Sequence, residues 1–197
     1  MNSNAILNPF RYIAGAKSLI IGLVTMAATS LLLYTSGWVQ DSYCHFAIAA
    51  KPLWEVAAMQ LLWWVIPSVL LYVCGLVLSP SRIRIVDVFG TQAFCQILVL
   101  LMAAPLFIPS ASEAMRRMID ALLSGNPFLP EDTTLVICAS IFSVVILILY
   151  FAWSYRAFAT SCNISGAKAI IAFSIIQAAT MTISSIFSLY TQQFTLS

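Results

Sequence analysis

The chain has 197 residues, of which 61% are hydrophobic and 8% charged, and its formal net charge is +2. Soluble domains average about 25% charged residues, so an ordinary water-soluble fold is excluded. A charge this small, with no basic patch among aromatics, excludes nucleic acid as a partner.

The expected architecture is a single all-α membrane domain over residues 1–197, a polytopic bundle of five transmembrane helices plus one amphipathic surface helix. A helix needs about 20 mainly apolar residues to cross the hydrocarbon core. Residues 1–17 carry Arg11 and Lys17 and lead into the first such run, 18–36. That run is longer than the 7–15-residue core of a signal peptide and further spans follow, so it reads as an uncleaved span. Residues 37–55 read as a loop containing Trp38, Asp41, Tyr43, Cys44, His45 and Lys51. Asp41, Cys44 and His45 form the one cluster resembling metal ligands. One of each falls short of a zinc set, and His45 is expected to be a lone surface histidine. The second span, 56–78, has no charged residue; Trp54, Trp63 and Trp64 suit an interfacial belt, and Pro67 lies inside it.

The stretch SPSRIRIVDVFGTQAFCQ, 79–96, is a charged hinge too short to be a domain. It makes its flanking spans antiparallel neighbours. Arg82 and Arg84 place it on the cytoplasmic side, where short loops hold their basic residues. With Asp87 they form either a site for a partner or lipid headgroup, or an orientation signal followed by a carboxylate at a helix N-terminus. The third span, 88–108, opens with Gln92 and Gln96 on one face. Polar side chains at depth either bond helices together or line a substrate path; Gln60 and Gln177 read the same way.

Residues 111–124 recur at helical spacing through Met115, Met118, Ile119 and Leu122, with Ser112 as the expected N-cap. Such a helix lies on the membrane rather than through it. A Pro-rich turn at 126–132 precedes the fourth span, 133–155. The fifth span is 169–190. There Thr180, Ser184 and Ser188 repeat every four residues, a helix-packing face, as do Ser174, Ala178 and Thr182.

With the N-terminus inside and the C-terminus outside, Arg11, Lys17, Arg82, Arg84, Arg156 and Lys168 lie on the cytoplasmic side. Lys51, Arg116 and Arg117 lie opposite, which obeys the positive-inside bias. The strings IAGAK at 13–17 and ISGAK at 164–168 precede the first and fifth spans. Shared local chemistry, a small-residue turn and a snorkelling lysine, explains them more simply than a duplicated half. The five cysteines show no CxxC spacing and read as inert thiols. No paired intramembrane carboxylates, Ser-His-Asp set, phosphate loop or HExxH occurs. No catalytic residue, metal or cofactor is therefore expected.

The strings NPFRYIAG at 8–15, RIRIVDVFGTQ at 82–92 and WSYRAF at 153–158 resemble the Yip domain family, the Ypt-interacting five-span proteins, in its bacterial branch. The likeness runs over nearly the whole chain. The eukaryotic branch carries a DLYGP-type motif in a long segment before its first span; the nearest string here, DVFGT at 87–91, stands at the third. The resemblance implies a five-span, non-enzymatic membrane protein, related to trafficking factors, and the expected location is the bacterial inner membrane. The expected role is an adaptor or organiser of membrane proteins or lipids, with the bilayer, other membrane proteins or a second copy as partners. A transporter of small solutes or lipids is the alternative.

Overall fold

A computed structural model describes residues 9–11, 13–125 and 130–195. Residues 126–129 of the Pro-rich turn lie outside the described residues, as do the side chains of Arg11 and Glu131. After a 3-10 turn at Pro9–Arg11, the elements are α1 (Ala16–Ser36), β1 (Trp38–Ser42), β2 (His45–Ile48) and α2 (Leu53–Leu78). Then come α3 (Ile85–Phe94), α4 (Gln96–Met102), a 3-10 turn (Ala104–Phe107), α5 (Pro109–Ser124), α6 (Pro130–Ser161) and α7 (Gly166–Thr195). Five segments are long and apolar enough to cross a membrane: Ala16–Ser36, Leu53–Leu78, Ile85–Met102, Asp132–Ser161 and Gly166–Tyr190. The protein is an integral membrane helical bundle, as the composition requires.

The helices outrun the apolar runs. Lys17, Glu55, Asp87 and Lys168 occupy terminal turns of spans, and Arg156 lies within the last two turns of its own, where long side chains reach the headgroups. The third span is the exception to that lengthening. It ends at Met102 instead of near Ile108, because Pro105 lacks an N–H and the chain tightens into a 3-10 turn. The two glycines of the repeated GAK strings share one job: Gly15 and Gly166 both have left-handed φ, +66° and +71°, at the start of α1 and α7. Only glycine takes that conformation without strain, which supports shared local chemistry as the source of the echo.

The segment read as a loop is the main correction. Trp38–Ser42 and His45–Ile48 pair antiparallel, Trp38 with Ile48 and Val39 with Ala47. The residues of β1 that a loop would expose are buried: Trp38, Val39 and Gln40 are each 3% exposed or less. The turn residue Tyr43 packs with Trp63, Phe94, Cys95, Leu98 and Tyr150. Its hydroxyl lies 2.9 Å from that of Tyr150, which is about 27 Å along α6 from Asp132 at ~1.5 Å per residue. The hydrocarbon core is about 30 Å thick. The hairpin therefore re-enters the bundle and reaches its interior.

The α1–α3 crossing closes the bundle on its other side. A β-carbon at Gly22 would collide with the backbone of Ala93, and one at Gly90 would press on the Gly15 carbonyl and lie 2.8 Å from Ser18 Oγ. Neither helix can yield without opening the interface. Gly22→Ala is predicted to destabilise the detergent-solubilised protein by about 1–3 kcal/mol, the usual cost of overpacking. Ile20→Ala, on the exposed face of the same helix, should leave the thermal midpoint nearly unchanged. Equal midpoints for the two variants would contradict this packing.

Candidate functional site

The site is built around the hairpin and α5. Helix α5 begins at Pro109, a favourable first helical residue, so Ser112 is not its N-cap. Ser112 is buried, and its hydroxyl accepts the Trp38 indole N–H at 2.8 Å. Arg116 donates from Nη2 to the carbonyls of Ser36, at 2.6 Å, and Gly37 at the C-terminus of α1. Its guanidinium also stands 5.3 Å from the Trp38 ring centre. A cation there offsets the negative end of the helix dipole. Arg117 holds Asp132 through two bonds of 2.6 and 2.8 Å, and that partner raises its pKa. The helix expected to lie loose on the membrane is thus fastened to α1, β1 and α6, while Leu122 and Leu123 remain exposed.

Between α5, α6, the end of α4 and the hairpin lies an apolar groove of about 350 Å³. Its walls include Trp38, Phe46, Met102, Met115, Met118, Val144 and Leu147, and Ser140 and Ser143 add two hydroxyls. The Ser143 hydroxyl donates to the Met102 carbonyl at 3.1 Å, closing the α4–α6 side. Cys44 and His45 border the groove from the hairpin. Burial pushes the Cys44 thiol up to about 12, so it is no nucleophile at neutral pH.

His45 is not solitary. Its Nδ1 lies 2.7 Å from Asp41 Oδ1, and Ser188 of α7 donates to Asp41 Oδ2 at 3.2 Å. The histidine side chain is 67% exposed. The hydrogen bond with Asp41 raises its pKa above 6.5, partly offset by burial. No group of three or more His, Cys, Asp or Glu able to hold a metal occurs among the described residues.

The residues singled out from the sequence fall in three places. Arg82 and Arg84 are exposed, and neither has an ion pair with a described residue. Asp87 instead sits in the first turn of α3, with its carboxylate against Gly15 where α1 begins. The three do not converge, and Asp87 is placed as a carboxylate between two helix N-termini. Gln92 joins helices: its Oε1 accepts from Ser154 Oγ at 2.8 Å, and its Nε2 donates to the Ser154 carbonyl at 3.1 Å. Gln96 is buried in α4. Thr180 and Ser184 face the interior, Ser188 reaches Asp41, and Ser174, Ala178 and Thr182 face outward.

The polar side chains read at depth from the sequence are buried, as expected, while the burial of Gln40 and Tyr43 was missed. Both amide atoms of Gln60 and Gln177, and Oε1 of Gln40, are buried without a hydrogen bond. Gln177 faces the Tyr43 hydroxyl without closing one, and burial drives the Tyr43 pKa upward. The run WVQDSYCHFAI, strand-favouring residues about a polar turn, was the available signal for the hairpin. Its length is too short to outweigh the flanking spans.

Comparison with protein-family models, curated proteins and solved structures gives no match. The fold and the groove define a five-span integral membrane protein.

The chain has one histidine, so its imidazole gives one titrating set of NMR signals. Asp41→Asn should lower the His45 pKa, because the acceptor that favours the cation is lost. In the native protein the pair stabilises the fold at acidic pH, and that contribution fades as pH rises through the raised His45 pKa. An unchanged titration in Asp41→Asn would contradict the pairing.

Proposed function

We propose that this chain is a non-catalytic membrane organiser that holds a lipid tail in the groove between α5 and α6. The groove carries the reading. It is lined almost wholly by apolar side chains, it is walled by a membrane-spanning helix, and three methionines give it adaptable shape. Sites for apolar ligands are concave, mostly apolar and supplied with a few placed polar groups. Five spans are also what the Yip resemblance implies. The positive-inside bias supports an inner-membrane protein with its N-terminus inside and its C-terminus outside. On that reading α5 and the start of β1 lie toward the outer face, and the hairpin turn reaches inward from there.

A lipid or solute translocator is the second reading, favoured by the unpartnered amides of Gln60 and Gln177. Buried polar groups without partners cost about 1–3 kcal/mol each, and a path for polar groups would explain their retention.

Native mass spectrometry of protein extracted from its own membranes separates the readings. A retained lipid is expected, and it should be lost in Val144→Trp, which fills the groove from an exposed position. Equal lipid retention in Val144→Trp would overturn the organiser. In liposomes, flux that falls when Gln60 and Gln177 are both changed to leucine would favour the translocator instead.

A further inference from the structure

We propose that the groove selects an amphiphile with one apolar tail and an acidic headgroup, a carboxylic acid or phosphate monoester, and that His45 is the headgroup's partner. This rests on the lipid-tail reading of the groove and adds the chemistry that chooses the ligand.

Geometry supplies the first argument. Asp41 accepts at His45 Nδ1, at 2.7 Å, and is itself held by Ser188 from α7. The ring is therefore fixed on one nitrogen, while Nε2 has no hydrogen-bond partner among the described residues. His45 borders the groove together with Trp38, Met102 and Leu147, so a headgroup bound by its ring leaves the tail beside apolar walls. That pattern, apolar walls with a few polar groups and one ring nitrogen left open, fits an amphiphile and not a wholly apolar guest.

Proton accounting supplies the second. With Nδ1–H donated to the Asp41 carboxylate, Nε2 accepts when the ring is neutral and donates when it is cationic. An acidic headgroup satisfies both states. A neutral acid donates to neutral Nε2, and its anion accepts from the imidazolium. The single proton lies on one side or the other, and the hydrogen bond persists either way. An ester or a quaternary headgroup has no such proton, and an ester oxygen pairs with the cationic ring alone. The titratable groups nearest His45 are Asp41 on β1 and Cys44 in the turn. The groove residues of α4, α5 and α6 are apolar or hydroxylic, and α7 contributes Ser188 to Asp41. Among the described residues, no carboxylate lines the groove to repel an anionic headgroup.

The test uses the full chain in phosphatidylcholine nanodiscs, with Trp54, Trp63, Trp64 and Trp153 changed to phenylalanine so that quenching by brominated palmitate reads Trp38 in the groove wall. Palmitate, palmitoyl lysophosphatidate and methyl palmitate then compete for the site. The two acidic amphiphiles are expected to displace the probe about tenfold better than the ester, the scale of a hydrogen bond to a charged group. A strong preference between the acids identifies the headgroup as carboxylate or phosphate. His45→Leu should erase the advantage of acid over ester while tail binding remains, and His45→Phe, which also lacks the ring nitrogen, should do the same if the leucine variant does not fold. Val144→Trp should weaken all three competitors. Equal displacement by ester and acids in the native protein would overturn the headgroup inference and leave the tail groove standing. Failure of every amphiphile to bind would remove the groove reading itself.

Discussion

Irregular backbone at membrane depth survives only where protein covers it, because hydrocarbon offers no partner to a free N–H or C=O. The β1–β2 hairpin is the place where this protein meets that constraint. Its strands satisfy each other, and its turn lies under Trp63, Phe94, Leu98 and Tyr150. Side chains supply the remaining bonds. Trp63 donates to the Gln40 carbonyl at 3.2 Å, and Gln40 Nε2 donates to the Tyr43 carbonyl at 2.9 Å. The hairpin thus occupies space that another helix would fill in a simpler bundle.

The groove follows from that insertion. Trp38, at the start of β1, is the post on which α5 rests, through Ser112 on one side and the Arg116 guanidinium on the other. Arg116 also reaches the open carbonyls at the end of α1. With α5 held at this height by its own charges, and with α6 tied to it by Arg117 and Asp132, an apolar channel is left between them. The same insertion carries Asp41 and His45 to the channel's edge. The Asp41–His45 contact and the groove thus come from the same insertion.

The spans were legible because bilayer thickness imposes a length and a composition that no local interaction overrides. Their ends were legible only to within a few residues, since Lys17, Asp87 and Lys168 enter the terminal turns by snorkelling or by facing a helix N-terminus. Gln92 and the Thr180–Ser184 stripe were readable as helix contacts from type and spacing alone. The hairpin was not. Its residues have mixed strand and loop character, and their burial depends on Tyr150 and Trp63, far away in the chain. His45 is exposed, as read from the sequence, but its pairing with Asp41 and the bond from Ser188 to that carboxylate were not legible, because only the fold assembles them. Ser112 matched a capping pattern, yet Pro109 starts the helix earlier and Trp38 claims the hydroxyl.

The position of the turn decides the matter most directly. Cys44 follows Tyr43 in that turn and can be probed once Cys74, Cys95, Cys138 and Cys162 are replaced by serine or alanine. A membrane-impermeant maleimide should then leave Cys44 unmodified in reconstituted vesicles of either orientation, while Lys51→Cys at the hairpin's outer end is modified readily. Modification of Cys44 as fast as of the residue placed at 51 would mean that the segment lies in water, and the buried hairpin, the groove and the role of His45 would be contradicted together.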